Sequence, residues 1–417
     1  MYMENNFKKI KTACYFGNLS MAVIANFSPL LFITFRDMFG LSYSQLGLLV
    51  LINFLTQLSV DLLFSFFSHK FNIPITIKSI PIISLFGFVI FAVTPWIFEG
   101  NELFGFLIGT MIFSSAGGLS VVLISPLIAA IPSKNPDREM SLLHSIYAWS
   151  VVLLVLVSTL FFAFFGEENW QWLVLLYCLS PITTFILFLS AKLPPLKTPE
   201  KTSGALLIMK NKMLWLCVLA IFLGGFMECT MAQWCSGYIE ISLGIPKTLG
   251  DIFGVALFSL TLGIGRTLYA KKGKDTEKVL LFGAVGAMLC YFTAAISQIS
   301  IIGLLACALC GFFVSMLWPG SLIVSSERIP YGGILVYALM ASGGDFGASL
   351  GSQVMGLVTD FAAKNTYLLD LAGKYGITPD RLGMKLGMMT GCIFCFFGVI
   401  VFFILLRTKS KSQNTIK

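Results

Sequence analysis

Twelve apolar stretches, each 19 residues or longer, fill most of this 417-residue chain: 13–35, 44–67, 76–98, 103–131, 141–165, 171–191, 213–239, 252–270, 279–297, 300–325, 332–359 and 383–406. A helix crossing the hydrocarbon of a bilayer needs ~20 predominantly apolar residues. Inside lipid no water satisfies backbone N–H and C=O groups, so a spanning segment must close its hydrogen bonds internally, as a helix does. Composition leaves no other environment open. The chain is 57% hydrophobic and only 12% charged, whereas soluble domains carry about 25% charged residues. Disorder is excluded for the same reason, because disordered chains are poor in apolar residues. The expected fold is all-α and polytopic, with twelve transmembrane helices in two six-helix bundles.

The first apolar run follows the basic stretch Lys8-Lys9-Ile10-Lys11. It is longer than the apolar core of a signal peptide and no small-residue cleavage site closes it, so it reads as an uncleaved first span. The longest polar stretch, 192–212, separates the sixth and seventh runs and contains Pro194-Pro195 and Thr198-Pro199-Glu200-Lys201. Bundles at 1–193 and 213–417 with a cytoplasmic linker at 194–212 follow from it. Of the 28 Lys and Arg residues, 21 fall at the termini, in the linker and in alternate loops on the same side. Six fall on the other side, and Arg266 lies inside a run. Cationic loops resist translocation, so this asymmetry places both termini in the cytoplasm of a cell-membrane protein. It also accounts for the net charge of +8 without nucleic acid.

All ten cysteines lie in apolar runs, including the C-x-x-C pairs Cys307/Cys310 and Cys392/Cys395. No histidine or second pair lies near them, so they read as small packing residues, and neither metal nor cofactor is expected.

Three acids sit deep in apolar runs: Asp61, Glu228 and Asp345. An ionised carboxylate there costs about 2.5 kcal/mol or more, so each must face a wet cavity, find a partner or stay protonated. These three are the candidate coupling groups, with Asp61 first. Asn53, Gln57, Asp61 and Ser65 recur every four residues and form one polar stripe. The stripe lines a central cavity or forms a hydrogen-bonded seam with span 11. On span 7, Trp234 and Tyr238 share a face, while Glu228 lies about 120° away from Trp234. Aromatic faces stack on sugars and amides satisfy hydroxyls, which makes Gln233 and Trp234 candidate substrate contacts. Tyr238 near the outer end suits an interfacial aromatic belt. Asn26, Asn53, Gln57, Trp149, Trp318 and Gln353 complete the candidate binding set. Pro126 and Trp318-Pro319 interrupt spans 4 and 10, where proline deletes a helical hydrogen bond. Arg266 either snorkels to the cytoplasmic surface or pairs with an acid as an inner gate.

The six-plus-six layout resembles the major facilitator superfamily, whose loops after spans 2 and 8 read G-x-L-A-D-R-x-G. The matching stretches here, Ser65–Asn72 and Arg266–Gly273, keep a cation in the Arg slot and lack the Asp. The fucose/glucose/hexose permease branch is more similar still. The likeness rests on Ser125-Pro126, on Ser141-Leu-Leu-His144-Ser-Ile-Tyr147-Ala-Trp149, on Trp318-Pro319, and on Gly343-Gly344-Asp345 leading to Gly356-Leu-Val-Thr-Asp360. His144 matches that branch's own histidine and reads as a gate or proton-sensitive residue. Fucose permeases carry coupling carboxylates in spans 1 and 4, where Pro29 and Val121 stand here.

The expected function is secondary active transport of a small polar organic solute, a sugar or sugar derivative, by alternating access. A proton, or sodium, would be the coupling ion, and the protein would act as a monomer in the bilayer. No phosphate-binding loop for ATP-driven pumping occurs in the chain. Efflux of hydrophobic or amphipathic compounds through a Phe-rich cavity is the alternative within the class. A non-transporting membrane sensor is the alternative outside it. Two histidines far apart give little material for an enzyme.

Overall fold

The computed structural model describes residues 2–67, 70–132, 136–194, 209–329 and 333–414. Most of the 194–212 linker, His69 and the side chains of Ser65 and His144 lie outside the described residues. All regular structure among the described residues is helical. Nine of these helices are long and apolar enough to cross a membrane, and a bent pair, α1 (Tyr2–Leu30) with α2 (Phe32–Phe39), makes a tenth. The others in the first half are α3 (Tyr43–Phe67), α4 (Ile73–Ile97), α5 (Glu102–Ala129), α6 (Pro136–Phe165), and the broken span α7 (Trp170–Tyr177) and α8 (Leu179–Leu189). The second half holds α9 (Lys212–Leu243), α10 (Lys247–Gly250), a π-helical turn at Asp251–Ala256 running into α11 (Leu257–Lys272), and α12 (Thr276–Ile296). Then come α13 (Ser300–Val314), α14 (Leu317–Arg328), α15 (Gly333–Lys364), α16 (Thr366–Lys374) and α17 (Pro379–Asn414). With α6 and α15, of 30 and 32 residues, every one of the twelve apolar runs is helical.

Two of the breaks have a proline cause. Pro29 ends α1, and α2 departs at 50° after Leu31. Pro319 has no N–H for the carbonyl of Ser315, and span 10 divides there into α13 and α14. Pro126 stands inside α5 without dividing it.

The chain forms two compact units, Met1–Gly40 with Ile52–Ser203 and Leu41–Leu51 with Gly204–Lys417. The division therefore runs through α3, whose first turns cluster with the second unit. Lipid is as apolar as a leucine side chain, so each unit depends on close packing and interhelical hydrogen bonds. In the first unit, Phe35 stacks on Phe106 at 4.4 Å and meets the edge of Trp170 at 4.9 Å. In the second, Gly343, Gly347 and Gly351 turn one face of α15 onto α9, against Val218, Phe222 and Thr230.

Candidate functional site

In α3 the polar stripe is buried: Asn53 is 4%, Gln57 4% and Asp61 3% exposed. Asn53 donates to the carbonyl of Ile24 on α1 at 2.9 Å and accepts from Ser114 on α5 at 2.7 Å. Gln57 donates to Asn53 at 2.9 Å. Asp61 lies where a Cβ on Gly118 of α5 would come within 2.9 Å of its Oδ1. The stripe thus joins α3 to α1 and α5 inside the first unit. Span 11 meets span 2 elsewhere, at the first turn of α3. Also in this unit, Asn26 donates to Ala22 and to the Tyr147 hydroxyl at 3.3 Å. Trp149, 67% exposed, continues an outward apolar stripe through Leu153, Leu160 and Phe164, away from Asn26 and the α3 stripe.

The second unit separates the candidates of α9 by helix face. Trp234 is 1% exposed, and its indole N–H donates to the carbonyl of Ser352 on α15 at 3.1 Å. Gln233 is buried beside it. Tyr238 is fully buried and donates to the carbonyl of Ala294, so it is a helix–helix tie and not a belt residue. Gln353 donates to the carbonyl of Ser44 at 3.2 Å.

Glu228 faces the other way, and there charge converges. Arg266 of α11 donates through Nη2 to Glu228 Oε1 at 2.9 Å and through Nε to the carbonyl of Ser315 at 3.1 Å. That carbonyl is the one Pro319 leaves without a helical donor. The broken helix and the cation inside the span therefore solve each other's problem. Arg266 pairs with an acid instead of snorkelling. Trp318, one residue before the proline, lies against Gly225 and Gly344, where an added Cβ would come within 3.0 Å of its ring. Asp345 follows Gly344 on α15. The side chain of Arg266 is 38% exposed and that of Glu228 15%. Glu228 Oε2 has no hydrogen-bond partner among the described residues. A carboxylate with one oxygen held by a guanidinium and the other open can take up a proton and release the cation.

Sequence reasoning flagged Glu228 and Arg266 separately, and the fold pairs them. It missed two buried polar features. Asp251 at the π-helical turn is 2% exposed and accepts a hydrogen bond from Ser236. Asp360 accepts from the backbone N–H groups of Tyr43 and Ser44 at the start of α3.

Comparison with known proteins decides what kind of protein carries this cluster. The model of the Major Facilitator Superfamily matches residues 14–352. The chain belongs to that superfamily. Among solved structures it is similar to a D-xylose–proton symporter, with 16% identity, a TM-score of 0.71, and 94% of this chain and 97% of that one covered. The nucleoside transporter NupG gives 12%, 0.73, 96% and 99%. The E. coli fucose:proton symporter FucP gives 15%, 0.58, 94% and 98%. At such identities the likeness shows the shared fold of twelve helices. No curated protein matches the chain by sequence.

Proposed function

We propose that this major facilitator protein is a proton-coupled secondary transporter of a small polar solute, a sugar or nucleoside-like compound, working by alternating access. The observation that carries the reading is the ion pair Glu228–Arg266 within the spans of the second unit, with the Trp318 ring packed against Gly225, one turn before Glu228 on α9. The indole offers a sugar a stacking face, and the carboxylates and guanidinium offer its hydroxyls partners. Symporters of xylose and fucose and a nucleoside transporter among the similar folds support the solute class. For the proton we favour Glu228 over Asp61, because Glu228 has a counter-charge to release and one open oxygen. Asp345 is its neighbouring acid, and the Asn53–Gln57–Asp61 stripe holds α3 in place.

The test is a panel of pentoses, hexoses, 6-deoxyhexoses and nucleosides on purified protein, followed by counterflow in proteoliposomes. A bound ligand raises the melting temperature, by about 2.7 kcal/mol of stabilisation at a hundredfold excess over Kd. At least one panel member should shift melting and exchange across the bilayer. Melting shifts without flux would favour a sensor. Flux of apolar cations alone would favour efflux.

A further inference from the structure

A groove of about 250 Å³ runs between α1 and α6 of the first unit, lined by Tyr15, Phe16 and Leu19 on one side and chiefly by Trp149, Ser150 and Leu153 on the other. Its place follows from the faces of α1 that other helices occupy. Gly17 packs on Ile124 of α5, and Ser20 shares a hydrogen bond with Ser180 of α8 at 2.8 Å. Asn18 donates to the Leu143 carbonyl of α6 at 2.8 Å. Ile24, whose carbonyl holds Asn53 of α3, lies about 180° from Tyr15 at 3.6 residues per turn. Tyr15, Leu19 and Phe16 occupy the arc that remains, between α6 and α8. The groove therefore opens away from the buried polar stripe of α3 and towards the bilayer.

The α6 wall suits hydrocarbon. The Ser150 hydroxyl is turned back onto the Ile146 carbonyl at 2.7 Å, so it offers nothing to a polar solute. Trp149 is 67% and Leu153 50% exposed, which leaves a ring and an aliphatic chain facing the groove. A polar group placed there would lose its hydrogen bonds to water without replacement.

One mouth of the groove is cationic. Lys8 stands seven residues before Tyr15, and Lys9 seven before Phe16, so each shares a face with its aromatic two turns, about 10 Å, along the axis. Lys8 and Lys9 are exposed, and Lys11 stands one turn before Tyr15. Against these three cations, residues 2–11 carry one acid, Glu4. Apolar surface alone would accept any lipid chain. Basic residues at the end of such a groove select an anionic headgroup.

We propose that the α1–α6 groove holds one acyl chain of an anionic phospholipid whose headgroup rests on Lys8, Lys9 and Lys11. By the distribution of Lys and Arg, that lipid belongs to the cytoplasmic leaflet. The proposal goes beyond the Glu228 reading and does not depend on it.

Trp149 reports whether the groove is filled. Its fluorescence is taken as the difference between the parent and Trp149→Phe, in phosphatidylcholine vesicles doped with a lipid that carries a dibrominated chain. Brominated phosphatidylglycerol should quench this fraction at a several-fold lower mole fraction than brominated phosphatidylcholine. Each lysine beside an anionic headgroup is worth about a fivefold gain in binding. Lys8→Gln with Lys9→Gln, Lys11 being kept, should therefore remove most of the preference. Lys271→Gln with Lys274→Gln, at the end of α11, should leave it intact. Equal quenching by the two lipids in the parent would overturn the proposal. So would a preference that survives Lys8→Gln with Lys9→Gln, or one that Lys271→Gln with Lys274→Gln lowers as much, which would mark general surface charge. Transport is not the readout, so a failure here is distinguishable from a failure at Glu228.

Discussion

Arg266→Gln is expected to abolish coupled transport and to lower the melting temperature clearly. The substitution leaves the Glu228 carboxylate without its counter-charge and the Ser315 carbonyl without its strongest donor. Removing one partner of a fully buried ion pair costs about 3–5 kcal/mol, because the other charge stays behind. The Arg266 side chain is 38% exposed, so water screens part of that loss. We therefore expect about 2 kcal/mol, towards the smaller end of single-site effects of this kind. Glu228→Gln alone should cost less, since a neutral amide needs no counter-charge. Adding Glu228→Gln to Arg266→Gln should then recover part of the melting temperature without recovering transport. Thermal unfolding of the two single variants and the double variant measures this coupling. Strict additivity would mean that the pair does not act as one.

Gly347→Val should prevent folding almost completely. A Cβ at position 347 would fall well inside van der Waals contact with the Phe222 carbonyl on α9 and within 3.0 Å of the Phe226 nitrogen. Backbone cannot rotate out of the way as a side chain can, so the two helices must separate. The same face carries Gly343 and Gly351 one turn to either side, so the displacement would open the whole seam. Overpacking alone costs about 1–3 kcal/mol where neighbours can adjust, and more where they cannot. Gly263→Ala is the matched control, because nothing lies within 4 Å of its Cβ position. It should fold like the parent or gain up to about 1 kcal/mol of helix propensity. Monodisperse yield on size-exclusion chromatography reads both.

The placement of the helices was legible because spanning lipid imposes a length and a composition that few other structures share. Which face of each helix is inside was not. In water an apolar residue marks the core, but in lipid the outer face is apolar too. Trp149 and Trp234 illustrate this: both stand in apolar helical surroundings, yet one is 67% exposed and the other 1%. Polar residues were the better guides, since lipid excludes them whatever the neighbour. The α3 stripe could be read as one inward face, although its partners, Ile24 and Ser114, could not. Glu228 and Arg266 were each marked as needing a partner. That they choose each other, 38 residues apart, depends on the break at Pro319 that turns the Ser315 carbonyl towards Arg266. Asp360 escaped notice because its role lies in two backbone N–H groups, which have no signature in the residue types donating them.

The central claim is that Glu228 binds the proton that drives uptake, and one comparison tests it most directly. Proteoliposomes holding the parent protein or Glu228→Gln are given an inward proton gradient. Uptake and exchange are then measured for the panel solute that most raises the melting temperature. The parent should concentrate the solute above its external level, while Glu228→Gln should exchange it at a comparable rate and never accumulate it. Accumulation by Glu228→Gln at the parent's level would contradict the claim and return Asp61 and Asp345 as the groups to test.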